Sequence, residues 1–154
     1  MRYFILLLFS ITYLSIFGQE KNIVLKEMVK YTVEDNLKSK LQEITNRLKP
    51  EDQNLIFSIN ISPKGDGYFI AVSTSYDIDT TNRYKGFFYI NNKLFVILKQ
   101  APPLFLQRNK TEKIAINSMK KKASNTLVEP YIDELPIWFM QYEKNTFNSI
   151  YFSY

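Results

Sequence analysis

From Leu25 onward, apolar residues recur at positions 25, 28, 29, 33, 37, 41, 44 and 48. The steps between them are three, one or four residues, the period of one face of an α-helix. Lys30–Glu34, Glu34–Lys38 and Glu43–Arg47 stand four apart with opposite charge, as on a solvated helix face. Pro50 follows the last apolar position and stops the run. This pattern predicts one amphipathic helix over Leu25–Leu48.

Beyond Pro50 the period changes to two. Leu55, Phe57, Ile59 and Ile61 alternate with Ile56, Ser58, Asn60 and Ser62, as in a half-buried strand. Pro63-Lys64-Gly65-Asp66-Gly67 has turn composition, and a second alternating run follows from Tyr68 to Tyr76. Asp77 to Asn82 reads as a polar loop. Phe87–Ile90 and Leu94–Leu98 flank Asn91-Asn92, a two-residue hairpin turn because Asn tolerates positive φ. That turn sets Phe88 opposite Phe95 and Tyr89 opposite Leu94, so both faces of the hairpin are apolar and both need covering. Ala101-Pro102-Pro103-Leu104 breaks the sheet, and Thr111 to Ala123 fits a short helix only loosely. Pro130 and Pro136 bracket a loop, and Ile137–Glu143 and Phe147–Phe152 form a last hairpin turning at Lys144-Asn145.

The expected fold is α+β: an N-terminal amphipathic helix packed on a curved, mainly antiparallel sheet of about six strands. In architecture alone this is similar to cystatin-like and other helix-grip folds, an analogy that carries no function.

The segment before the helix reads as an address. Met1-Arg2 is a positive start, Tyr3–Phe17 is apolar apart from Ser10, Thr12 and Ser15, and Gly18 precedes polar Gln19-Glu20-Lys21-Asn22. A spanning helix needs roughly 20 apolar residues, a signal-peptide core about 7 to 15. Residues 1–18 are therefore expected to be a signal peptide and 19–154 a single domain, exported to the periplasm or outside the cell of a bacterium. The competing expectation is an uncleaved anchor. Zero cysteines means that the domain is held without disulfides.

The same composition narrows the chemistry. With no histidine and no cysteine, imidazole bases, thiol nucleophiles and thiolate metal sites are excluded. Gly65-Asp66-Gly67 lies in a turn and not before a helix, so it is no phosphate loop. Asp77 and Asp79 are too few to hold a hard cation. Glu51-Asp52 and Asp133-Glu134 are adjacent acids, better explained by surface solvation than by a cleft. A Ser118–Lys120 to Lys122 pairing has nothing to lower a lysine pKa. No catalytic residue, cofactor or metal is expected.

Charge is the clearest functional signal. Residues 19–79 carry 8 positive and 10 negative charges, residues 80–128 carry 10 positive and one negative, and residues 129–154 carry 1 positive and 4 negative. The middle segment is thus net +9 between flanks of −2 and −3. Arg83, Lys85, Arg108, Lys120, Lys121 and Lys122 are the expected partner-binding residues if they fold onto one face. Trp138 is a further anchor if the aromatic last hairpin is a partner surface, although core packing is the default for such residues. The expected function is a small non-enzymatic binding module for a protein or an anionic surface, in the manner of an inhibitor or toxin-neutralising protein. Nucleic acid is not an expected partner, because no binding motif accompanies the charge. The alternative class is a small-ligand carrier or a His-independent hydrolase with a pocket between helix and sheet.

Overall fold

The structure, a computed structural model, describes residues 22–78, 84–118 and 135–153. Among these the chain forms one α-helix and an eight-stranded sheet: β1 (Asn22–Val33), α1 (Asp35–Asn46), β2 (Ile56–Lys64), β3 (Gly67–Ser75), β4 (Gly86–Ile90), β5 (Lys93–Ile97), β6 (Leu106–Ser118), β7 (Ile137–Glu143) and β8 (Thr146–Ser153). The signal segment and Lys120–Lys122 lie outside the described residues. The fold is α+β with mainly antiparallel pairing, and it differs from the expected one in two elements.

The first correction is the helix start. Residues 22–33 are a strand, so the element order opens with β1 and the helix comes second. Leu25, Met28, Val29 and Val33 have helical spacing, but Ile23, Val24, Val29, Thr32 and Val33 are β-branched and favour a pleated strand. Glu34 divides the two elements: its carboxylate accepts from the Leu37 backbone N–H at 3.1 Å and caps the helix. Its own N–H donates to the Phe105 carbonyl at 2.9 Å. The Lys30–Glu34 and Glu34–Lys38 helix-face pairs are therefore not formed, and Lys40–Glu43 at 3.0 Å is an ion pair on α1. The helix ends at Asn46, and Pro50 begins a 3-10 turn over Pro50–Asn54.

The second correction is residues 111–118, which continue β6 and are not helical. Ile114 and Ile116 are buried between exposed Lys113 and Ala115, a period of two. With β1 and β6 added, the sheet has eight strands in place of about six.

The strand order is β6-β1-β4-β5-β2-β3-β7-β8. Two of the seven neighbouring pairs, β1–β4 and β2–β5, are parallel. Three hairpins supply the local pairings. β2–β3 turns at Gly65-Asp66 with Lys64 opposite Gly67. β4–β5 turns at Asn91-Asn92 (φ 48° and 61°), with Phe88 opposite Phe95 and Tyr89 opposite Leu94 as expected. β7–β8 turns at Lys144-Asn145 (φ 50° and 61°).

The sheet has apolar residues on both faces. On one, α1 lays Leu37, Leu41 and Ile44 against Phe57, Phe88, Phe95 and Phe105. Phe57 and Phe95 stack at 4.5 Å between centroids, and Phe88 stacks on Phe95 at 5.1 Å. On the other, Met28, Ile56, Phe87, Val96, Ile114 and Ile116 form a second cluster with Ile78. Gly86 stands where β4 meets β1: a Cβ there would run into the Val29 carbonyl and the Tyr31 ring.

Candidate functional site

β1 and β6 pair antiparallel from Asn22↔Ser118 to Val33↔Leu106, with one irregularity between Val29 and Tyr31. There the register passes from Val29↔Thr111 to Tyr31↔Arg108, so β6 has an extra residue, a β-bulge. Lys110 and Glu112, two residues apart, share one side, and the bulge sets Arg108 on the other side with Thr111 and Lys113. Lys30 Nζ lies 3.3 Å from Glu112 Oε2, and Lys110 Nζ lies 3.7 Å from Glu112 Oε1. Two cations thus share one half-buried carboxylate. Lys26 extends over the Tyr84 ring at 5.1 Å from its centroid. On the opposite side of the same ribbon, Lys113 stands across from Glu27 and Arg108 across from Tyr31, both basic residues exposed.

Lys85 borders the same strands. It is exposed and continues the β4–β5 ladder by donating its N–H to the Ile97 carbonyl at 2.8 Å. β4 and β6 flank β1, so Lys85 and Arg108 lie on either side of one strand. Arg83 lies outside the described residues, as do Lys120, Lys121 and Lys122. The structure therefore relates two of the six basic residues singled out in the sequence.

It also adds others. Lys26 and Lys30 belong to a stretch of the sequence with net negative charge, and only the pairing of β1 with β6 brings them beside Arg108, Lys110 and Lys113. Lys30 and Glu112 are 82 residues apart. No local signal reports that neighbourhood.

Trp138 is in β7, far along the strand order from β1. It is 4% exposed and its ring lies 6.0 Å from that of Phe57, inside the core beneath α1. Its position matches the packing default for an aromatic strand residue. Of the acids weighed for catalysis, Asp52 is buried at 7% in the 3-10 turn, which corrects the expectation that it solvates the surface. The Asp77 carbonyl accepts from Ser75 Oγ at 2.7 Å, which ties the bend after β3. Asp79, Asp133 and Glu134 lie outside the described residues. Among the described residues, no three acidic side chains gather as a metal site would require, and no helix is long and apolar enough to cross a membrane.

Comparison with protein-family models, with curated proteins and with solved structures finds no match to this chain.

Proposed function

We propose that this protein is a small exported binding module, without catalytic activity, that engages a protein or an anionic surface through the basic side of its sheet. The observation that carries this reading is the gathering of Lys26, Lys30, Lys85, Arg108, Lys110 and Lys113 at one end of the strand order. Lys26, Lys30 and Lys110 lie on one face of the β1–β6 ribbon and Arg108 and Lys113 on the other, with Glu27 and Glu112 as the acids described in β1 and β6. Clustered cations raise the local concentration of anionic groups and speed encounter with them. The core supports the same reading over a ligand carrier: the space between α1 and the sheet is occupied by Leu37, Leu41, Phe57, Phe88, Phe95 and Phe105, each at most 1% exposed. The exported location rests on the Met1–Gly18 segment, and the finer likeness to helix-grip architecture rests on one helix crossing a mainly antiparallel sheet.

The test compares the wild-type chain with Arg108→Gln/Lys110→Gln/Lys113→Gln on anionic vesicles, on heparin and on acidic peptides at two salt concentrations. Binding by the wild type weakens steeply with salt, since exposed charges are screened over about 8 Å at physiological ionic strength. The triple variant binds less and unfolds at nearly the same temperature, because exposed charges contribute little to folding. Equal, salt-independent binding by both proteins would sink the electrostatic reading.

A further inference from the structure

The basic side of the sheet is also one of its edges. β6 is an outer strand among the described residues, 13 residues long, and its side away from β1 presents backbone N–H and C=O groups in a row. Gln107, Arg108, Asn109, Lys110, Thr111, Lys113 and Ala115 are all exposed along it. Charged side chains on an edge ordinarily discourage pairing, and here they discourage one kind above all. Two copies of β6 meeting antiparallel in the register that sets Arg108 of each opposite Lys113 of the other would bring like charges together, which is destabilising. A strand of opposite charge meets no such penalty.

On the side of the sheet that carries α1, β6 has two zones. Arg108 and Lys113 make a basic zone around Thr111. Next comes Ala115, which lies opposite Leu25, and beyond it Asn117 opposite Ile23. Leu25 is 73% exposed and Ile23 64%, the two most exposed large apolar residues described. Glu112, the acid nearest these cations on β6, points to the other side and is held by Lys30 and Lys110. Glu27, exposed across from Lys113, offsets one of the two cations on this face, so the edge offers hydrogen-bonding backbone, a net positive charge and, past it, bare aliphatic surface.

We infer that β6 accepts an extended acidic segment of a protein partner as a ninth strand, antiparallel to it, with aliphatic residues of the partner beside Ala115 and reaching over it toward Leu25, and acidic residues beside Lys113 and Arg108. This deepens the proposed function, on which it rests, by naming the mode of binding and the chemistry of the partner. Antiparallel order sets the aliphatic residues first in the partner strand and the acidic ones after, at every second position, because side chains on one face recur with period two.

The experiment uses the full chain and a capped decapeptide, Thr-Val-Thr-Val-Thr-Glu-Thr-Glu-Thr-Glu. Its controls are the reversed sequence and a copy N-methylated at the alternate residues whose N–H would face β6, which keeps every charge but cannot donate from that edge. Binding is read by fluorescence anisotropy, and amide hydrogen exchange maps the site. The expected result is slowed exchange confined to β6, with binding roughly tenfold weaker for the N-methylated copy that loses edge hydrogen bonds. The reversed peptide and the Leu25→Ser variant also bind more weakly. Equal binding of the native and N-methylated peptides, or binding with no slowing in β6, overturns strand addition and leaves the electrostatic reading standing. Binding to anionic vesicles without binding to the peptide also overturns it, in favour of a membrane surface. Binding to neither refutes both.

Discussion

Leu41 and Leu25 separate a single helix over Leu25–Leu48 from a strand followed by a helix. On a single helix from Leu25 to Leu48 both would sit on one buried stripe, and truncating either would cost about the same. In the structure Leu41 is fully buried and Leu25 is 73% exposed in β1. Leu41→Ala leaves a cavity in the core that Leu41 shares with Phe57, Phe88 and Phe95, whose stacked rings have little room to collapse. The cost belongs in the upper part of the range for buried leucine, about 3 to 5 kcal/mol. With a urea slope of about 2 kcal/mol per molar, that lowers the denaturation midpoint by about 2 M. Leu25→Ala removes a side chain already largely in water, and its effect stays within about 0.5 kcal/mol. Leu41→Met, which nearly conserves volume, costs less than about 1.5 kcal/mol and controls for a merely sensitive position. Equilibrium urea unfolding followed by tryptophan fluorescence is suited to this, since Trp138 lies in the same core. Equal losses at positions 25 and 41 would refute the strand assignment of β1, and an unmoved midpoint for Leu41→Ala would refute the docking of α1.

Three further outcomes are expected. Gly86→Ala destabilises by about 2 kcal/mol or more, because the new methyl group meets the Val29 carbonyl and forces β1 away from β4; thermal unfolding measures it. Asn91→Gly keeps the positive φ of the turn but loses the amide bonds to Thr45 Oγ1 at 2.9 Å and Asn46 Oδ1 at 3.1 Å, at a cost of about 1 kcal/mol in denaturant unfolding. Expression in an exporting bacterial host yields a chain beginning at or near Gln19, checked by intact-mass analysis, and a retained Met1–Gly18 segment on the exported protein would remove the signal-peptide reading.

What the linear sequence discloses about this fold tracks the distance between partners. The β4–β5 register follows from Asn91-Asn92 alone, and the turn at Lys144-Asn145 likewise aligns β7 with β8, because the strands concerned are contiguous. α1 announces itself through Leu37, Leu41 and Ile44. β1 does not, because its partners are β6 and β4 and its own pattern is mixed: Met28 joins one cluster, Tyr31 and Val33 pack toward the other, and Ile23, Val24 and Leu25 are exposed. A strand so unevenly covered has no clean alternation, and the accidental helical spacing of Leu25, Met28 and Val29 wins. β6 is hidden for a related reason. Its alternation is confined to Lys113–Ile116, while the bulge near Lys110 breaks the period just upstream. The basic site inherits these blind spots: the charge excess of residues 80–128 is visible, whereas the contribution of Lys26 and Lys30 requires knowing that β1 pairs with β6.

That pairing governs the order in which the molecule can assemble. The β2–β3 and β4–β5 hairpins close over short loops, and the parallel contact of Phe57 with Phe95 then joins them into a four-stranded unit. β1 gains nothing from this until residues 86–90 exist to receive it, and its longest partnership, Met28 with Glu112 among others, spans most of the domain. Closing so large a loop costs entropy before any contact repays it, which places β1 and β6 late on the folding route. In a chain that emerges amino-terminus first, β1 is thus made before the strands that receive it and must wait, with Ile23, Val24 and Leu25 unpaired. A chain cut short before β6 would hold an aliphatic strand with most of its partner missing.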